Sequence, residues 1–121
     1  MKRDLMFHLK AWQTDGDRKP LLLRGARQVG KSYLARELGR EFPGFVEINF
    51  ELEPGLKLLF EKDLDPVRIT RDLAIALGKD ITPGEPLLFL DEIQECPKAI
   101  TALRYFYEKM PLLHIIAAGS L

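Results

Sequence analysis

The chain has 121 residues, which is enough for one compact domain with a hydrophobic core and too few for two. Its 46% hydrophobic and 30% charged residues are ordinary for a globular protein, and the net charge of zero gives no indication of a nucleic-acid binder. A single cysteine excludes an internal disulfide, and the short apolar runs, together with a charged N-terminus, favour a cytoplasmic protein without membrane spans.

The first half of the chain alternates predicted helices and strands. Apolar residues at helical spacing predict an amphipathic helix over 3–14, and the apolar run at 20–24 predicts a short buried strand. A helix of about three turns is predicted from residue 31 to about 43, with Phe42 on its apolar face. Alternating residues at 45–50 then predict a second strand.

The second half continues the same alternation. The predicted elements are a short helix over 55–62, a helix over 65–78, a strand over 87–90, a helix from 97 and a strand over 112–118. Asp65 is the predicted N-cap of the second of these helices, and Gly78 closes it. Strands separated by helices predict an α/β fold with a mostly parallel sheet between two layers of helices.

Residues 25–32, Gly-Ala-Arg-Gln-Val-Gly-Lys-Ser, fit the phosphate-loop pattern G-x-x-x-x-G-K-[ST] between a predicted strand and a predicted helix. Glycines let the backbone approach a phosphate, its N–H groups form an anion-binding nest, and the helix N-terminus adds positive potential. We expect Lys31 to reach the β- and γ-phosphates and the Ser32 hydroxyl to bind Mg²⁺. The predicted nucleotide-binding residues are Gly25, Ala26, Arg27, Gln28, Val29, Gly30, Lys31, Ser32 and Tyr33. The alternative is a glycine-rich turn with a surface lysine.

Asp91 and Glu92 follow the apolar strand at 87–90. A buried parallel strand delivers such an aspartate to the edge of the sheet where ligands bind, so Asp91 is suited to hold Mg²⁺ with Ser32. Glu92 is the predicted catalytic residue that orients or deprotonates water. An acidic turn at a strand end is the alternative for the pair taken alone. A GTPase is disfavoured, because no Gly lies two residues after Glu92 and no N-K-x-D motif is present.

Four further residues have two interpretations each. Ser120, at the end of the fourth strand, is either a catalytic residue near the γ-phosphate or part of a Gly-Ser turn. Arg24 and Arg27 either contact phosphate or face solvent, and Arg104 is either an arginine finger for a neighbouring subunit or part of a solvated helix face. Structural or surface roles are expected for His8, Trp12, Cys96 and His114.

The strings LLLRGARQVGKS, FVEINFE, LLFLDEIQECP, LRYFYEK and AAGSL closely resemble the N-terminal part of a prokaryotic family of AAA-type P-loop ATPases. In that family the ATPase core precedes a C-terminal domain of unknown function. The resemblance covers essentially the whole chain. It implies a P-loop NTPase three-layer αβα sandwich, Lys31 and Ser32 as the Walker A pair, Asp91 and Glu92 as Walker B, and Ser120 at the sensor-1 position.

The resemblance also implies a sheet of order 2-3-4-1-5 that this chain carries only as far as the fourth strand. The fifth strand, a helical lid and the C-terminal domain would lie beyond residue 121, so the strand at 21–23 is expected at an exposed sheet edge. We therefore expect the chain by itself to bind nucleotide weakly and to hydrolyse it slowly.

The sequence thus predicts an ATPase module that uses ATP and Mg²⁺ and couples nucleotide state to a partner or to the C-terminal domain in cis. The predicted partner is the nucleotide; a homo-oligomer is compatible with the resemblance, and neither nucleic acid nor a membrane is indicated. The alternatives are a small-molecule or nucleoside kinase, disfavoured because no arginine-rich lid is visible, and a nucleotide-binding scaffold without hydrolysis.

Overall fold

The computed structural model describes residues 2–17, 19–24 and 29–120, with the side chains of 2–5 and 29 outside the description. The helices are α1 (Lys2–Thr14), α2 (Val29–Gly39), α3 (Pro66–Leu77) and α4 (Pro97–Lys109). The strands are β1 (Leu21–Arg24), β2 (Gly44–Asn49), β3 (Pro86–Asp91) and β4 (His114–Gly119). Short 3₁₀ helices cover Pro54–Phe60 and Ile93–Glu95. No helix in this described part is long and apolar enough to cross a lipid bilayer.

The strands form one sheet in the order β1-β4-β3-β2, and every neighbouring pair is parallel. Parallel neighbours require crossover connections, which the helices between the strands supply. The predicted α/β fold with a parallel sheet is therefore confirmed, and the strand order is the one that the family resemblance implies. Among the described residues β1 lies at one edge of the sheet, and its leucines are only partly buried.

Two hydrophobic cores lie on opposite faces of the sheet. Leu88 and Leu90 of β3 belong to the core formed with α3 and α4, whereas Leu87 and Phe89 belong to the core formed with α1 and α2. This division follows from the alternation of side chains along a strand. All of β3 is buried because helices cover both of its faces, which explains why its sequence is a continuous apolar run rather than an alternating one.

The ends of α3 agree with the sequence prediction. Asp65 is the N-cap, and its carboxylate accepts a hydrogen bond from the backbone N–H of Val67 at 3.2 Å. Gly78 ends the helix in the left-handed conformation with φ of 64°, which glycine adopts without the steric cost that a Cβ would add.

Two predicted boundaries were wrong. α2 ends at Gly39 instead of near residue 43, and Phe42 lies in the following turn, where its N–H bonds the Gly39 carbonyl at 3.2 Å. The Phe42 ring still joins the core, since it packs edge-on against His114 at 4.7 Å between ring centroids. β4 begins at His114 rather than at residue 112, because a turn closed by the bond from Leu113 N–H to the Met110 carbonyl precedes it.

A buried arginine, not predicted from the sequence, fastens α3 to the preceding segment. Arg68 is 8% exposed and serves four acceptors. Its guanidinium donates to the carboxylates of Asp63 (2.8 Å) and Asp72 (2.9 Å) and to the carbonyls of Leu59 and Asp63 (both 2.8 Å). These bonds satisfy the buried charge and lower the pKa of Asp63, mainly through the side-chain hydrogen bond.

We predict that Arg68→Lys lowers the free energy of unfolding by about 2 kcal/mol, because an ammonium cannot serve four acceptors in the planar arrangement of a guanidinium. Arg71→Lys, at a side chain that is 66% exposed on the same helix, is the matched control and should change it by less than about 0.5 kcal/mol. Urea denaturation measures both, and equal effects of the two substitutions would contradict a structural role for the Arg68 contacts.

Candidate functional site

The carboxyl ends of all four strands meet at one edge of the sheet, which is where ligands bind in open α/β folds. The strand register pairs Arg24 at the end of β1 with Gly119 of β4, and Asn49 at the end of β2 with Asp91 of β3. α2 begins at this same edge, since only four residues separate it from the end of β1. The first turn of α2, with Lys31 and Ser32, and the predicted acidic pair therefore lie at the same edge of the sheet.

The structure describes only part of the predicted phosphate loop. Gly25, Ala26, Arg27 and Gln28, together with the side chain of Val29, lie outside the described residues, and their nucleotide contacts stay predictions. Val29 begins α2, and the partly buried Gly30, Lys31 and Ser32 form its first turn, followed by Tyr33, which is 50% exposed.

Ser32 and Asp91 are in direct contact although 59 residues separate them in the chain. The Ser32 hydroxyl donates a hydrogen bond to the Asp91 carboxylate at 2.9 Å. This bond joins the first turn of α2 to the end of β3, so the two sequence motifs belong to one site.

Asp91 is a buried acid, only 7% exposed. Burial raises its pKa, and the nearby charges of Glu92 and Glu47 act in the same direction. The Ser32 bond and the backbone N–H of Glu92, which donates to the other carboxylate oxygen at 2.9 Å, oppose this rise. A cation beside the Asp91 carboxylate would therefore stabilise its ionised form.

An ion pair next to the site lies on the α1–α2 side of the sheet. Arg36 on α2 forms a bidentate contact with the Glu47 carboxylate on β2, at 2.9 and 2.8 Å. Such paired bonds fix the relative geometry of the partners better than a single bond does. The pair thus ties the helix that carries Ser32 to the strand beside β3.

Lys31 points its ammonium group at the end of β1, where it donates a hydrogen bond to the carbonyl of Arg24. The cationic group therefore lies at the carboxyl edge of the sheet, the edge at which Asp91 ends β3. The Arg24 side chain itself is exposed, in agreement with the solvent interpretation for this residue.

Glu92 has the most unusual backbone of the site. With φ of 52° and ψ of 46° it is left-handed, and among the described non-glycine residues it alone has a positive φ. A side chain with a Cβ is disfavoured there, and such outliers concentrate at functional positions. The carboxylate of Glu92 accepts a hydrogen bond from Gln94 Nε2 at 2.7 Å.

Ser120 follows β4, and its backbone N–H donates to Gln94 Oε1 at 3.2 Å. Gln94 therefore contacts both Glu92 and Ser120, two predicted catalytic residues. Neither Gln94 nor the 3₁₀ helix Ile93–Glu95 that carries it is predicted from the sequence, because a single turn has no periodic pattern. The only available signal was its position two residues after Glu92.

The donors at this edge fit a magnesium ion bound together with a nucleotide. Mg²⁺ prefers oxygen ligands and keeps several waters or phosphate oxygens, so it needs only one or two protein groups. The adjacent Ser32 hydroxyl and Asp91 carboxylate supply such groups. Elsewhere in the described residues, no group of three or more His, Cys, Asp or Glu side chains could hold a metal by itself.

The remaining candidates have structural or surface environments. Arg104 is 77% exposed and pairs with Glu108 at 3.2 Å, which agrees with a solvated helix face. Cys96 is buried, and burial raises the pKa of its thiol, which disfavours a nucleophilic role. Trp12 packs edge-on against His114 and donates its indole N–H to the Lys19 carbonyl, so it is a packing residue as expected. His8 lies exposed on α1.

Comparison with known proteins agrees with the fold. The profile of a family described as an AAA domain matches residues 17–121. No curated protein sequence matches the chain. The match covers most of the chain, which therefore belongs to this AAA domain family and is a nucleotide-binding module of the AAA type.

We predict that Glu92→Gly leaves the protein more stable than Glu92→Ala by about 1 kcal/mol. Both substitutions remove the carboxylate and its bond to Gln94, but only glycine adopts the left-handed backbone without steric cost. Urea unfolding of the two variants measures the difference. An alanine variant as stable as the glycine variant would show that the backbone of residue 92 is not strained.

Proposed function

We propose that this protein is a Mg²⁺-dependent ATPase of the AAA type, with its active site at the carboxyl edge of the sheet. The hydrogen bond between Ser32 and Asp91 carries the proposal, because it joins the Walker A and Walker B positions in one site. Family membership supports nucleotide binding.

Each residue has a role that its surroundings support. The ammonium of Lys31, at the end of β1, would neutralise charge on the β- and γ-phosphates. Ser32 and Asp91 would hold the Mg²⁺ ion, which supplies positive charge next to the phosphates and the leaving group. Their existing hydrogen bond keeps both oxygens preorganised.

Glu92 is the proposed catalytic residue that orients the attacking water and accepts its proton. Its carboxylate follows Asp91 directly at the end of β3 and is held by Gln94. A positioned base of this kind contributes roughly 10²- to 10⁴-fold to a hydrolytic rate. Ser120, which follows the neighbouring strand β4, is proposed to contact the γ-phosphate region.

The proposal extends to the role of the module in the cell. We propose that nucleotide state is transmitted to a partner or to a C-terminal domain in cis, that the protein acts in the cytoplasm, and that a homo-oligomer is compatible with this activity. Support comes from the family resemblance of the sequence.

The test compares Glu92→Gln and Lys31→Met with the wild-type protein, each produced together with the proposed C-terminal domain, in ATP-binding and phosphate-release assays. Glu92→Gln should retain ATP binding and lose hydrolysis by roughly 10²-fold or more, because the amide cannot accept the proton of water. Lys31→Met should weaken ATP binding by roughly 10- to 100-fold, through loss of a charged hydrogen bond.

Lys79→Met is the matched control for Lys31→Met, because Lys79 is exposed in the loop before β3, at the opposite edge of the sheet. It should leave both assays unchanged. Phosphate transfer that requires an added acceptor would instead identify a kinase, and ATP binding without turnover in wild type would identify a non-hydrolysing scaffold.

A further inference from the structure

One side chain connects the ends of two neighbouring strands at the proposed active site. Gln94 Nε2 donates to the Glu92 carboxylate at 2.7 Å, and Gln94 Oε1 accepts from the Ser120 N–H at 3.2 Å. Glu92 follows β3 and Ser120 follows β4. The amide of Gln94 therefore bridges the proposed water-orienting group and the end of the adjacent strand.

The two contacts need a side chain that donates one hydrogen bond and accepts another, and an amide does so with two separate atoms. An ionised carboxylate only accepts hydrogen bonds and a backbone N–H only donates them, so the bridging group must donate at one end and accept at the other. The orientation of the Gln94 amide follows from its partners. A carboxylate at position 94 would face the carboxylate of Glu92, and an apolar side chain would make neither bond.

Gly119 provides the space that this bridge needs. A Cβ at position 119 would overlap Gln94 Oε1 and would approach Gln94 N and Ile93 Cγ2 to 3.3 Å each. The φ of Gly119 lies outside the left-handed range, so its backbone conformation does not itself require glycine. The absence of a side chain at 119 matters because the Gln94 amide occupies that volume.

We propose that Gln94 is a positioning residue that holds the Glu92 carboxylate in its working orientation and couples it to the segment carrying Ser120. The inference rests on the proposed function, in which Glu92 orients the attacking water. The left-handed backbone of Glu92 sets the direction of its side chain only at the Cβ, and the bond from Gln94 fixes the far end. When a bound phosphate displaces Ser120, the two hydrogen bonds of the Gln94 amide transmit that movement to Glu92.

The first test measures kcat and KM for ATP hydrolysis, and ATP affinity at equilibrium, in Gln94→Met. The expected result is a fall in kcat of about 10- to 100-fold with KM and ATP affinity changed by less than about threefold, because a misplaced catalytic group slows the chemical step. The kcat of Gln94→Glu should fall at least as far, because the like charge at position 94 repels the Glu92 carboxylate. Lys79→Met, in the exposed loop before β3 at the opposite edge of the sheet, is the control and should match wild type.

Gly119→Ala tests the same bridge without changing the chemistry of residue 94. The added Cβ displaces the amide oxygen, so kcat should fall while ATP affinity is kept. A folded Gln94→Met or Gly119→Ala protein with the kcat of wild type would overturn the proposal. Circular dichroism establishes that each variant is folded.

A double-mutant cycle separates positioning from a general structural role. In the Glu92→Gln background, Gln94→Met should cause no further loss in single-turnover hydrolysis, because the group that Gln94 positions is already inactive. An equal loss in both backgrounds would overturn the positioning role. A wild-type protein that binds ATP but hydrolyses none contradicts the proposed function and, with it, the catalytic part of this inference.

A readout independent of activity tests the coupling itself. The backbone amide resonance of Ser120 should shift in Glu92→Gln relative to wild type, because Gln94 transmits the change. In the Gln94→Met background the same substitution should leave that resonance in place. An unchanged Ser120 resonance in the first comparison, or the same shift in both backgrounds, would contradict the bridge.

Discussion

The bond from the Ser32 hydroxyl to the buried Asp91 carboxylate is the contact on which the proposed site depends. It spans 59 positions of sequence and joins the helix after β1 to the end of β3. Because β4 lies between β1 and β3 in the sheet, the bond forms only if the first turn of α2 reaches past the end of β4 to the end of β3. The crossover topology of the sheet therefore produces the site.

The other contacts complete a nearly continuous path along this edge. Lys31 bonds the end of β1, β1 pairs with the end of β4, and Gln94 connects the residue after β4 with Glu92 after β3. The charged groups along this edge are the ammonium of Lys31 and the carboxylates of Asp91 and Glu92. Burial raises the pKa of Asp91. Burial of that charge in the absence of a cation lowers stability, which is a common property of functional sites.

The sequence predicts most of the fold because its local patterns and its tertiary contacts agree. Asp65 and Gly78 mark helix ends by their own chemistry, and the apolar run of β3 follows from its burial on both faces.

Other features depend on contacts that form only in the folded chain. Phe42 has the spacing of a residue of α2, yet its ring reaches His114 from a turn. Arg68 was missed because its four acceptors become neighbours only after folding. The predicted pairing of Ser32 with Asp91 came from motif chemistry, whereas Gln94 depends on the meeting of two strand ends, which no local pattern encodes.

The most direct measurement is a crystal structure of the protein with a non-hydrolysable ATP analogue and Mn²⁺, in which the anomalous signal of manganese locates the metal. We expect a single strong peak beside the triphosphate, with Ser32 Oγ at a coordination distance of about 2.1 Å and Asp91 next to it. Nucleotide bound at another face of the sheet, or a metal peak remote from both oxygens, would contradict it.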